Sequence, residues 1–185
     1  MMTITHTKIP DVLLINSPRF GDERGFFSEV YKEGMLAEYG FNEVFTQDNH
    51  AYSSEAGVLR GLHYQRPPFA QDKLVRVTRG SIYDVAVDIR HGSPTFGEWV
   101  GAELSAENWQ QVLVPKGFAH GYLTLEPDTE VLYKVTNPYA PECDQGILWN
   151  DPSIRIEWPL EGAPILSAKD EIQPLLADIP LEFTF

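Results

Sequence analysis

Strict two-residue alternation across residues 73–89 limits what this chain can fold into. Leu74, Arg76 and Thr78 alternate with Val75, Val77 and Arg79, and Gly80-Ser81 then turns the chain. Tyr83, Val85, Val87 and Ile89 alternate with Asp84, Ala86 and Asp88 until His91-Gly92-Ser93-Pro94 breaks the run. Successive side chains of a strand point to opposite faces, so this pattern predicts two strands joined by a tight turn. Shorter strands are expected at 99–104, 111–115, 118–125 and 129–136, separated by Ser105-Ala106-Glu107-Asn108, Lys116-Gly117 and Glu126-Pro127-Asp128. Turns every ~8–12 residues with β-branched and aromatic filling point to a sandwich or jelly roll.

Helix is scarce. Residues 32–39 are expected to make two turns closed by Gly40 as a left-handed cap. Residues 168–176 are expected to start another, with Ser167 as N-cap and Asp170 three residues on, cut short by Pro174. Most of the 14 prolines fall at strand boundaries, where a missing N–H does least harm. With 185 residues and 43% hydrophobic content, the expectation is one mainly-β domain spanning residues 1–185.

Charge narrows the function classes. The net charge of −13 argues against general nucleic-acid or anionic-membrane binding, both of which need a positive footprint. Residues 60–90 are the exception: Arg60, Arg66, Lys73, Arg76, Arg79 and Arg90 outnumber Asp72, Asp84 and Asp88. Such an island suits a small anionic ligand such as a phosphate or nucleotide. The alternative is that strands turn these charges to solvent. Cys143 is the single cysteine, so neither an intramolecular disulfide nor a cysteine zinc cluster can form. No apolar run has signal or membrane-span length, and a reducing cytosol is the expected setting.

Two of the five histidines sit beside glycine in strand-like segments, Gly61-Leu62-His63 and Ala119-His120-Gly121. A metal site in a β-barrel commonly pairs histidines one residue apart with a nearby glutamate. His63 has no histidine at 61 or 65, and the next glutamate is Glu98, so a metal site is not expected. His63 is then either a hydrogen-bonded core histidine or a base. Arg60 and His63 are three apart and face opposite sides of a regular strand; a bulge at Gly61 would bring both to one cavity. Tyr133 shares a face with Val131 and Val135, either filling the interior or presenting a phenol for proton transfer. Lys73, in phase with Val75 and Val77, either snorkels to water or stabilises negative charge. Asp170 either supports a helix start or accepts the Nδ1–H of a catalytic histidine.

Eight segments occur in order: Phe-Gly-Asp-Glu-Arg-Gly-Phe-Phe (20–27), Gln-Asp-Asn (47–49), Val-Leu-Arg-Gly-Leu-His-Tyr-Gln (58–65), Lys-Leu-Val-Arg (73–76), Gly-Phe-Ala-His-Gly (117–121), Leu-Tyr-Lys (132–134), Gly-Ile-Leu-Trp-Asn-Asp-Pro (146–152) and Leu-Ser-Ala-Lys-Asp (166–170). Each is weak alone. Together, from about residue 8 to about 176, they closely resemble the dTDP-4-dehydrorhamnose 3,5-epimerase family. The resemblance implies a cupin-like jelly roll, a homodimer, no metal and no organic cofactor. It implies His63 as the base beside the C4 ketone, Asp170 as its orienting partner, Tyr133 as the opposite-face acid and Lys73 as the group steadying the enolate. Arg24, Glu29, Gln47, Asp48, Asn49, Arg60, His120, Asp144 and Lys169 match substrate contacts, with Tyr139 stacking on the nucleotide. Arg24 and Glu29 are expected to reach the partner subunit's pocket.

Asp144 stands where the family usually has Glu, with a shorter reach, and Pro138 precedes Tyr139 where another residue type is common. The proton-transfer residues are untouched by either departure. An epimerase acting at C3 alone or C5 alone would carry the same residues. A non-catalytic nucleotide-sugar-binding cupin would not need His63, Tyr133, Lys73 and Asp170 together.

Overall fold

The computed structural model describes residues 2–185. Among them, strands form in the order β1 Thr3–His6, β2 Leu13–Asn16, β3 Phe20–Asp22, β4 Gly25–Phe27, β5 Gln47–Ser53, β6 Leu59–Gln65 and β7 Lys73–Arg79. There follow β8 Ser81–Asp88, β9 Trp99–Ser105, β10 Gln110–Val114, β11 Phe118–Thr124, β12 Thr129–Val135 and β13 Asp144–Gly146. They make a six-stranded sheet, β1-β2-β10-β7-β12-β5, and a five-stranded sheet, β13-β6-β11-β8-β9, with β3-β4 as a separate hairpin. Every ladder is antiparallel. The mainly-β jelly-roll sandwich expected from the alternation is the fold observed.

The sheets face each other across an apolar layer. Val75, Val77, Val112, Val114 and Val131 from one meet Ile82, Ala86, Val100, Leu104 and Phe118 from the other. Each valine, leucine, isoleucine or phenylalanine taken fully out of water there contributes ~1.5–3 kcal/mol. Both sheets are also covered on their outer faces. Leu13, Leu74 and Leu113 lie beneath Tyr31, Met35, Phe41 and Phe45, while Val85, Val87 and Ile89 lie beneath Ile154, Trp158, Leu176 and Ile179.

This double coverage overturns the solvent-facing reading of the β8 charges. Ile82, Asp84 and Ala86 point between the sheets, and Asp84 and Asp88 are both buried. Asp88 is neutralised locally: it accepts from the Arg90 backbone N–H and guanidinium and from the hydroxyls of Ser93 and Thr95.

The expected helices shrink to single 3-10 turns. Gly40 caps the first in the left-handed region as expected, but only Ala37–Tyr39 is helical. Gly34 also has positive φ and stops the turn from starting earlier. The second covers Asp170–Ile172; Ser167 Oγ accepts from the Asp170 N–H at 3.2 Å, and Gln173 turns extended before Pro174. No described helix is long and apolar enough to cross a membrane.

Candidate active site

A cavity of about 510 Å³ opens between the sheets. Lys73 on β7 and Tyr133 on β12 come from one wall, Arg60 and His63 on β6 and His120 and Tyr122 on β11 from the other. Residues 165–167 and Asp170 close one side. That loop is tied down by the Leu59 N–H donating to the Ile165 carbonyl at 3.0 Å and the Ile165 N–H donating to the Gly57 carbonyl at 2.8 Å.

Arg60 and His63 reach one cavity because β6 is bulged. His63 pairs with His120 and Arg60 with Tyr122, so three steps on β6 oppose two on β11. Gly61 sits at the irregularity with φ 132° and a cis peptide to Leu62. A Cβ there would lie 2.5 Å from the Gly121 Cα, and one on Gly121 would lie 2.8 Å from the Arg60 carbonyl oxygen. The glycine beside each histidine therefore permits a backbone approach that sets the two rings opposite each other.

His63 Nε2 lies 2.5 Å from Asp170 Oδ1. The engaged nitrogen is Nε2 rather than the expected Nδ1; with Nε2–H donating, Nδ1 carries the free lone pair. Burial pushes the Asp170 carboxyl up. The His63 hydrogen bond and charge, the Ser167 hydroxyl and the Gly61 backbone together outweigh this and hold it below its ordinary range. Asp170 thus both occupies a capped turn and meets His63.

Burial raises the Tyr133 phenol above its ordinary value, against the opposing charge of Arg60, so the hydroxyl keeps its proton at neutral pH. Lys73 is buried, and its Nζ donates to the His63 carbonyl at 3.2 Å. That burial lowers its pKa to about 8; Asp84 and Asp144 pull it back up, and Lys169 presses it down. A carboxylate-bonded imidazole, a protonated phenol and a buried lysine thus border the same cavity.

The remaining expected contacts divide into four groups. Gln47 and Asn49 share the inner-face parity of Tyr133 on the neighbouring strand and are bonded to each other at 2.8 Å. Asp48 turns the other way, where its carboxylate receives Lys134 at 2.8 and 2.9 Å. Its side chain is therefore committed to the outer face, because neighbouring residues on a strand cannot share a side. Tyr139, Asp144 and Lys169 form a chain of their own: the Tyr139 hydroxyl donates to Asp144 Oδ2 at 3.2 Å, and Lys169 Nζ donates to the same oxygen at 2.5 Å.

Arg24 and Glu29 lie away from the cavity. Arg24 is paired with Asp22 within its own hairpin, and Glu29 borders a different groove beside Phe20 and Phe27. A larger hollow of about 790 Å³, walled by Phe96, Trp99, Ile154 and Leu176, contains none of the expected catalytic side chains. Among the described residues, no group of three His, Cys, Asp or Glu side chains is arranged to hold a metal. Tyr122 was not anticipated, although its two-residue spacing from His120 places both on one face.

Known proteins resemble this chain along nearly its whole length. The family model described as dTDP-4-dehydrorhamnose 3,5-epimerase matches residues 6–178. A dTDP-4-dehydrorhamnose 3,5-epimerase of Salmonella typhimurium is 55% identical over 177 residues, 95% of this chain and 96% of the relative. One from Sinorhizobium fredii is 51% identical, covering 96% and 91%. A dTDP-6-deoxy-D-glucose-3,5-epimerase from Legionella pneumophila, solved in complex with dTDP-4-keto-L-rhamnose, superposes with a TM-score of 0.96 at 45% identity, covering 100% of this chain and 99% of that one. With the family model spanning residues 6–178 and relatives above half identity covered over more than nine-tenths of both chains, the chain belongs to the dTDP-4-dehydrorhamnose 3,5-epimerase family.

Proposed function

We propose that the protein epimerises dTDP-4-dehydro-6-deoxy-D-glucose at C3 and C5, giving dTDP-4-dehydro-L-rhamnose for dTDP-L-rhamnose synthesis. The observation that carries this reading is the cavity in which a carboxylate-oriented histidine, a protonated phenol and a buried ammonium converge. A carbon beside a ketone loses its proton readily because the carbanion delocalises as an enolate. Inverting that carbon needs a base on one face, an acid on the other and positive charge at the oxygen.

In this reading, His63 Nδ1 takes the proton beside the C4 ketone while Asp170 holds the ring through Nε2 and stabilises the imidazolium. Lys73 steadies the enolate oxygen. The Tyr133 hydroxyl delivers a proton to the opposite face, and the same sequence at the second carbon completes the inversion. Arg60 and His120 border the cavity that receives the sugar, and of the 60–90 island Arg60 is the arginine at hand for a pyrophosphate, Arg90 being held by Asp11 and Asp88. Gln47, Asn49, Lys169 and the exposed ring of Tyr139 are assigned to the nucleotide side. We assign Asp144 to holding Lys169 and Tyr139, which its existing bonds support. The protein acts as a cytoplasmic homodimer in which Arg24 and Glu29 serve the partner's cavity, without metal or organic cofactor.

The two halves of the proton transfer separate by mutation. His63→Ala should lower turnover and solvent exchange alike by ~10²–10⁴-fold, since no enolate forms. Tyr133→Phe removes only the reprotonating hydroxyl and leaves the ring in place. It should lose most epimerised product yet still take deuterium from heavy water, read by NMR. Full epimerisation by Tyr133→Phe would assign the acid elsewhere.

A further inference from the structure

Asp84 has no part in the chemistry assigned above, yet it is one of the most deeply placed charges near the cavity. It stands on the inner face of β8 and is only 2% exposed. Its carboxylate accepts from His120 Nε2 at 2.8 Å. Among the described residues, no lysine or arginine forms an ion pair with it. A carboxylate held this deep is strongly penalised unless paired or given work to do.

We propose that Asp84 is a positioning residue of this site, fixing His120 through Nε2 and acting as the buried counter-charge of Lys73. The catalytic consequence rests on the reading of Lys73 as the enolate's cation; the electrostatic pairing stands without it. His120 and Lys73 line the same cavity, and Asp84 is bonded to the first of them from the inner face of β8.

The neighbouring charges single out Asp84. Arg60 and His63 from β6, His120 and Tyr122 from β11, Tyr133 from β12, Asp144 from β13, and Lys169 and Asp170 from the closing loop surround the Lys73 end of the cavity. Asp170 is already matched to His63, and Asp144 to Lys169. Asp84 has the His120 ring as its bonded partner and no lysine or arginine in an ion pair among the described residues. Burial lowers Lys73 to about 8, and Asp84 is the largest of the influences opposing it. Lysine is charged below its pKa, so losing Asp84 narrows the pH range over which Lys73 is cationic.

Asp84→Asn tests this directly, because it keeps an oxygen acceptor for His120 and removes only the charge. The Lys73 ammonium is titrated by NMR in protein carrying ¹³C-labelled lysine, its signal assigned with Lys73→Arg, alongside the pH profile of kcat. We expect the Lys73 midpoint to fall by roughly one unit or more. The alkaline limb of kcat should fall with it, with a several-fold loss of kcat at pH 8 and a smaller change in KM. An unchanged midpoint overturns the proposal. A lowered midpoint with an unmoved kcat profile upholds the pairing and instead removes Lys73 from the chemistry. Asp84→Ser, smaller and equally uncharged, carries the same measurement if Asp84→Asn does not fold.

Discussion

His63 and Asp88 illustrate two fates of a buried titratable side chain in this molecule. His63 is half-buried and keeps one nitrogen open to a cavity, whereas Asp88 is sealed and fully satisfied. Although burial raises the Asp88 carboxyl, its bonds from Arg90, Ser93 and Thr95 hold it below the ordinary carboxylate value. A carboxylate lowered on folding contributes stability that is complete above the ordinary range and is lost as pH falls through the folded value. Asp88→Asn should therefore cost ~3–5 kcal/mol at neutral pH and flatten the acid limb of stability, read by denaturant titration at several pH values. Alternation alone marked Tyr133 and Lys73 as inward, because the residues in phase with them, Val75, Val77, Val131 and Val135, are apolar. It left the facing of Asp84 and Asp88 open, since β8 is buried on both faces and period two does not say which face meets the opposite sheet. The His63–Asp170 contact, between groups 107 residues apart, was accessible only through the family resemblance.

Strand β6 is the element that converts an ordinary sandwich wall into a site. Its bulge turns Arg60 to the side of His63, and its partner β11 supplies His120 and Tyr122. The sequence carried this signal in a single residue, since Arg60 and His63 could share a cavity only if Gly61 broke the alternation. Gly61→Ala would combine a positive φ with a Cβ 2.9 Å from the His120 carbonyl oxygen and still closer to the Gly121 Cα. Neither backbone can yield cheaply. The variant should lose ~2–4 kcal/mol of stability and most activity, measured by thermal unfolding and turnover. Gly57→Ala, at positive φ with open space around its Cβ, is the control for φ alone and should cost less. The short turns were the least legible elements. Gly40 caps its turn as expected, whereas Ser167 bonds the Asp170 N–H from before a turn whose N-cap is Lys169; a cap marks where a turn can begin or end, not how long it lasts.

At the scale of the whole molecule, the hairpin β3-β4 explains what one chain leaves unfinished. Phe20, Phe26 and Phe27 are 61%, 54% and 70% exposed, an apolar cluster unusual on a chain of this acidity. Arg24 at its tip is paired with Asp22 of the same hairpin. The proposed homodimer gives both features a use, by burying the phenylalanines and carrying Arg24 to a second cavity. Replacing Phe26 and Phe27 by aspartate should yield monomers by light scattering and a large loss of activity, although each chain's own His63–Asp170 pair remains intact. A fully active monomer would remove the partner's contribution. The central claim, that one cavity inverts two carbons beside one ketone, is tested most directly by turnover of dTDP-4-dehydro-6-deoxy-D-glucose in heavy water. The product should be the L-configured sugar with solvent deuterium at both C3 and C5. Deuterium at one position with a single inverted centre, or none at either, would contradict it.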